Sequence, residues 1–179
     1  INTLGGTNRF VSSTYSLGIN GNLIVYNSSE FSILSNSYYV AGNIVNNGVI
    51  TSTSTLALSN FLSGSQTPAT QAQTISGTGV FKNLATSPTA ELNNFTVNNT
   101  SVGGVTLNVP LSVSGTLTLT AGKVNTSSTS LLTLGTATAA GTLSGGSTTA
   151  YIVGPFARTI ASGNANTNYI VYPVGKTAY

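Results

Sequence analysis

The chain reads as an all-β solenoid, a parallel β-helix, and three observations carry that reading. Apolar and polar residues alternate with a period of two in many short runs. Gly and Asn pairs punctuate those runs. Several segments recur at offsets of similar length. An antiparallel β-sandwich is the alternative, because many short strands with turn signals fit either architecture.

Taken in chain order, the strand signals are Thr55-Leu56-Ala57-Leu58, Val105-Thr106-Leu107-Asn108-Val109, Leu111-Ser112-Val113, Thr116-Leu117-Thr118-Leu119-Thr120 and Leu131-Leu132-Thr133-Leu134. Alternation sends one set of side chains inward and the other outward. Asn20-Gly21, Asn47-Gly48, Gly103-Gly104 and Gly145-Gly146 supply residues that tolerate tight corners. Ile19-Asn20-Gly21-Asn22-Leu23-Ile24-Val25 recurs as Val40-Ala41-Gly42-Asn43-Ile44-Val45, offset by 21 residues. Gly115-Thr116-Leu117 recurs as Gly141-Thr142-Leu143, offset by 26, and Tyr151-Ile152-Val153 as Tyr169-Ile170-Val171, offset by 18. A coil of roughly 22 residues gives about eight coils, and stacked strands about 4.8 Å apart make a rod about 40 Å long. The stretch from Ser63 to Ala72 is expected to project. Residues 1–150 form the solenoid rod. Residues 151–179, where aromatics and Pro return, form a terminal β segment that caps the rod or pairs between subunits.

Composition narrows function by what it omits. The 179 residues contain no Cys, His, Met, Trp or Asp, and the acids are Glu30 and Glu91. Thr, Ser and Asn number 29, 24 and 20. A Ser or Thr nucleophile without His lacks its usual base, and no Ser-Lys spacing replaces it. Without Asp a Ca²⁺ cage has too few carboxylates. Glycoside hydrolysis needs two close carboxyl groups, and Glu30 and Glu91 are 61 residues apart, so both read as solvated surface acids. The chain is therefore expected to be no enzyme and to carry no metal or cofactor. Net charge is +3, but Arg9, Lys82, Lys123, Arg158 and Lys176 are scattered, which argues against nucleic acid. No apolar stretch approaches the roughly 20 residues of a membrane-spanning helix, so no membrane insertion is expected. With no initiator Met and no signal-like start at Ile1, the chain reads as a mature or excised piece of a longer precursor. Low charge with abundant Ser, Thr and Asn suits an extracellular setting.

Ile75-Ser76-Gly77-Thr78-Gly79-Val80-Phe81-Lys82-Asn83-Leu84, the run Val105–Leu111, Val113-Ser114-Gly115-Thr116-Leu117-Thr118-Leu119-Thr120-Ala121-Gly122, and Tyr151-Ile152-Val153-Gly154-Pro155-Phe156-Ala157-Arg158-Thr159-Ile160 share one style. So do Gly42-Asn43-Ile44-Val45-Asn46-Asn47-Gly48 and Tyr172-Pro173-Val174-Gly175. Together they resemble the repetitive regions of very large secreted, adhesin-like surface proteins of Bacteroidetes, over most of residues 40–179. The resemblance implies a right-handed parallel β-helix exported to the cell surface, serving as a stalk or filament.

The expected role is structural, with self-assembly head to tail into a filament, or contact with other surface proteins. Terminal strands offer the contacts, and the candidates are Arg9, Phe10, Tyr169, Tyr172 and Tyr179. The alternative is a carbohydrate-binding adhesin module. Its glycan-stacking candidates are Tyr38 and Tyr39, since an exposed aromatic shelf suits sugar rings. A second alternative is a degenerate polysaccharide-active β-helix. Phe31, Phe81, Phe95 and Phe156 are assigned to the interior. The Thr arrays at 51–55, 116–120 and 136–138 look unlike an ice-binding face, because spacings of 65 and 20 residues do not repeat in register. Asn-x-Ser/Thr occurs at Asn27, Asn94, Asn98, Asn99 and Asn125, where stacked corner amides are the preferred reading.

Overall fold

The computed structural model describes residues 2–3, 9–12, 15–83, 90–160 and 170–176, with side chains from Tyr15 onward. The strands fall on three stacks visited in cyclic order. The first turn holds β1 (Asn2–Thr3), β2 (Arg9–Ser12) and β3 (Leu17–Ile19), and the second β4 (Leu23–Val25), β5 (Glu30–Ile33) and β6 (Tyr38–Val40). The third holds β7 (Ile44–Asn46), β8 (Val49–Ser52) and β9 (Thr55–Leu58), followed by a hairpin of β10 (Asn60–Leu62) and β11 (Ser65–Thr67). The fourth has β12 (Gln73–Ser76), β13 (Val80–Lys82) and β14 (Asn94–Asn98). Then come β15 (Val105–Leu107), β16 (Leu111–Val113) and β17 (Thr116–Asn125), which runs straight into the sixth turn with β18 (Leu132–Leu134) and β19 (Thr142–Gly145). Finally β20 (Ala150–Val153), β21 (Phe156–Arg158) and β22 (Val174–Gly175) extend the stacks further.

Among the described residues every ladder between strands is parallel except the β10–β11 hairpin. None of these residues is helical, and no helix is long and apolar enough to cross a membrane. The architecture is all-β and dominated by a large parallel sheet of 13 strands. That sheet joins two of the stacks because β17 turns a corner at Gly122 without breaking. Gly122 has φ +82° there, and a Cβ would collide with the Asn99 carbonyl of the previous turn, so only glycine fits.

Strand alternation builds the core. Inward positions repeat turn after turn in register: Leu23, Ile44, Ile75 and Leu107 form one column, and Tyr38, Leu56, Phe95 and Leu117 another. Phe31, Ile50 and Phe81 stack on the face begun by β5. These side chains are buried, and Phe156 is half-buried against the same cluster. Each fully buried large apolar side chain contributes about 1.5–3 kcal/mol. Corners are held by amides. Asn22 Oδ1 accepts from the Asn43 N–H at 2.8 Å, and Asn43 Oδ1 accepts from the Thr74 N–H at 2.8 Å. Asn94 Oδ1 does the same for the Thr116 N–H.

The 21-residue offset is the structural register, since Leu23 pairs with Ile44, and the 26-residue offset pairs Thr116 with Thr142. The 18-residue offset is not. Ile152 pairs with Val174, a step of 22 residues, and Ile170 lies in no strand. Turn length varies because segments are inserted at corners. Ile44 pairs with Ile75, 31 residues on, across a turn that contains the hairpin. Whereas Ala69 is buried and bridges to Asn99 in the stack, that hairpin takes in the first part of the Ser63–Ala72 stretch expected to project. Ser63 and Gly64 turn it with positive φ, and residues 62–68 are exposed. Its Phe61, however, folds back onto the sheet, stacked on Tyr39 at 4.4 Å and pressed against Gly18.

Candidate functional site

A groove of about 600 Å³ runs along the corner between the first and second faces, across the second, third and fourth turns. Each turn contributes one short segment: residues 27–30, 47–49 and 78–80. The floor is Ser29, Gly48 and Gly79. A Cβ on Gly48 would strike the Ser29 and Tyr26 carbonyls, and one on Gly79 the Gly48 carbonyl, so adjacent backbones touch and the floor lacks bulky side chains. One wall is Asn27, Asn47 and Thr78, the last two tied where Asn47 Oδ1 accepts from the Thr78 N–H at 3.1 Å. The other wall is Glu30, Val49 and Val80, aligned in register along their ladder.

Glu30 is held in place by hydroxyls. Its Oε1 accepts from Ser32 Oγ at 2.8 Å and from Thr51 Oγ1 at 2.6 Å, and the two hydroxyls lie 2.9 Å apart. Ser32 and Thr51 are buried, so the carboxylate is oriented by groups shielded from water. Glu91 is 3% exposed and lines a separate cavity of about 370 Å³ with Ser112, Thr133, Thr136 and Thr159. Reading Glu91 as a solvated surface acid is therefore corrected: it precedes Leu92, whose bridge to Val113 draws the segment into the stack. The two acids line different cavities and do not form a carboxylate pair.

Tyr38 and Tyr39 do not make one shelf. Adjacent residues of a strand face opposite ways, and Tyr38 is fully buried, edge-on to Phe31 with ring centroids 5.5 Å apart. A sugar ring has no access to Tyr38, and Tyr39 is covered by Phe61. Arg9 and Phe10 lie in β2, with their backbones aligned with Glu30 and Phe31. Tyr172 is 44% exposed, meets Phe156 edge-on at 6.0 Å, and shares a cavity of about 470 Å³ with Tyr151, Pro173 and Lys176. Tyr169 and Tyr179 lie outside the described residues.

Two features escaped the sequence reading. The groove is assembled from corners with unequal spacing, and only the Asn47-Gly48 corner signal hinted at it. On the third face, Asn94, Thr116 and Thr142 align in one outward row, and Thr96, Thr118 and Ser144 in a second. Of the Thr arrays, 116–120 lies in these rows and Thr55 joins the first through Asn94, whereas Thr51 is on the second face and 136–138 lies in no strand, so the three arrays do not share one register.

The fold is all-β and dominated by a parallel sheet, with polar groups both in corner grooves and in rows on the third face. No protein-family model, no curated protein and no solved structure matches the chain.

Proposed function

We propose that the chain is a length of right-handed parallel β-helix serving as a stiff extracellular stalk in a bacterial surface protein. The observation that carries this reading is the parallel pairing of strands from turn to turn, continuous along the first and third stacks and divided on the second into the sheets β2–β5–β8–β13 and β16–β18–β21. Right-handed winding is the hand that parallel crossover connections adopt in about 98% of cases. Rungs locked by backbone ladders, in-register core columns and corner amides resist bending at every level. The composition supports an exterior location: 4% charged residues and no Cys, with a surface rich in Ser, Thr and Asn.

Because the chain has no Cys, paired labels can be introduced without background. Spin labels at Asn27→Cys and Ser128→Cys, on corners four turns apart, should give a single narrow distance distribution. The axial separation should be about 19 Å before label length is added. A broad or multimodal distribution would show a flexible linker rather than a stalk.

The proposal includes end-to-end self-association. Among the described residues β22 pairs only with β20; its own Val174 is exposed, as are Val171 and Tyr172 just before it. Unpaired strand edges recruit further strands. Sedimentation from micromolar to millimolar concentration should reveal growing linear species, diminished by Tyr172→Lys; a monomer throughout that range rejects this part.

A further inference from the structure

We propose that Asn20 is a modification site of the folded chain, losing its amide to water and ageing to aspartate and isoaspartate, while Asn47 is protected by the stack. Asn20-Gly21 and Asn47-Gly48 are the two Asn-Gly pairs of the sequence. In such a pair the next backbone nitrogen attacks the Asn side-chain carbonyl carbon, and glycine allows this most readily because no Cβ hinders the approach. The bond from the Gly nitrogen to Cγ forms, the Cγ–Nδ2 bond breaks, and ammonia leaves with the proton that the Gly nitrogen gives up. Water then opens the cyclic imide at either carbonyl. One opening restores the normal backbone as aspartate. The other leaves isoaspartate, with an extra methylene in the main chain.

The two pairs share this chemistry and differ in their surroundings. Asn20 and Gly21 are exposed at the corner between β3 and β4, and a Cβ on Gly21 would meet nothing within 4 Å. Among the described residues neither the Asn20 side-chain amide nor the Gly21 N–H has a hydrogen-bond partner. Both reacting groups can therefore rotate into line. At Asn47-Gly48 each is held. Gly48 is buried, its N–H donates to Asn46 Oδ1 at 3.2 Å, and its carbonyl accepts from the Val80 N–H at 2.8 Å. The Asn47 N–H donates to the Val25 carbonyl at 2.7 Å, and its Oδ1 accepts from the Thr78 N–H at 3.1 Å. Bringing Cγ onto the Gly48 nitrogen means opening bonds to the turns on both sides, so reaction there waits on local unfolding. The exposed corner also supports its neighbour. The Gly21 carbonyl accepts from the Gly42 N–H at 3.1 Å, and Asn22 Oδ1 from the Asn43 N–H at 2.8 Å. The extra methylene of isoaspartate displaces both acceptors, whereas aspartate in a normal backbone leaves them in place.

The sequence contains no Asp, so any aspartate that appears is a product. The test incubates the full chain in mildly alkaline buffer, folded and in urea, and follows both positions by tandem mass spectrometry. In the folded chain Asn20 should convert about tenfold faster than Asn47 or more, and in urea the two rates should converge. Gly21→Ala should slow conversion about tenfold with an unchanged urea midpoint, because its φ lies outside the left-handed region and its Cβ enters open space. Chain enriched in isoaspartate should exchange the Gly42 and Asn43 amides faster than the parent, and Asn20→Asp should not. The proposal is overturned if Asn47 keeps pace with Asn20 in the folded chain, or if Asn20 is stable there and converts only in urea. It is overturned too if the difference persists in urea, which would place its origin in sequence rather than fold, or if Gly21→Ala converts as fast as the parent. Equal exchange at Gly42 and Asn43 in the isoaspartate chain would overturn the effect on the next turn.

Discussion

Gln73 shows how a single polar side chain can tie the corners of this fold. It is buried, and its Nε2 donates to the carbonyls of Val40 at 2.8 Å and Gly42 at 2.7 Å. Its Oε1 accepts from Asn99 Nδ2 at 2.8 Å. One amide thus bonds the second-to-third-turn corner to the fourth turn. Gln73→Leu keeps the approximate volume but strands the Gly42 carbonyl and one Asn99 proton. Each buried group left unsatisfied costs about 1–3 kcal/mol, and urea denaturation should show a loss in that range or above. Asn98 is the opposite case. It is buried, and its Oδ1 has no hydrogen-bond partner among the described residues. Asn98→Val removes that acceptor and adds a residue suited to a strand. It should raise stability by about 1 kcal/mol, and a fall in the urea midpoint would show that the amide makes a contribution of its own. Neither role is visible in sequence, where both are polar residues among many. What sequence does give is parity along a strand, and parity alone places Tyr38 and Tyr39 on opposite sides.

At the scale of elements, strands were the legible part. The alternating run at Thr116–Thr120 is the first half of β17, and Leu111–Val113 is β16 in full. The recurrence of Asn-Leu-Ile-Val at Asn22 and Asn-Ile-Val at Asn43 is a true coil repeat, because the Asn and the following apolar residue have separate jobs. The Asn caps the next N–H and the apolar residue enters the core. Asn43→Ala removes the cap from Thr74 and should cost about 1 kcal/mol, with faster hydrogen exchange at the Thr74 amide than at Thr106. Unchanged exchange at Thr74 would mean that water replaces the cap freely. Turn length was illegible because corners absorb insertions without disturbing the columns. The β10–β11 hairpin adds a detour, yet Leu58 and Val97 still pair directly. The groove was hidden for the same reason, since its three corners have no common spacing. The hairpin has its own stake in the sheet. Phe61→Ala should uncover Tyr39, shifting its ring resonances toward those of a solvated tyrosine and leaving the Leu56 and Phe95 methyl and ring signals unmoved.

For the molecule as a whole, parallel stacking makes each turn depend on the two that touch it. Stability in such a chain is close to a sum of turn and nearest-neighbour terms rather than a property of one central core. Phe95 probes this well. It is fully buried, with Leu56 on one side and Leu117 on the other in the same column. Phe95→Ala should cost about 3–5 kcal/mol, and the loss should be graded along the axis. Amide protection should fall most in β9 and β17, which flank β14, less in β6 and β19, and least in β3 and β20. Seven charged residues in the whole sequence leave little long-range electrostatics to blur the gradient. Native-state hydrogen exchange reads each turn separately. An equal fall of protection in every strand would mean that the turns open as one cooperative block, and the picture of a stalk stabilised rung by rung would have to give way to a single globular unit.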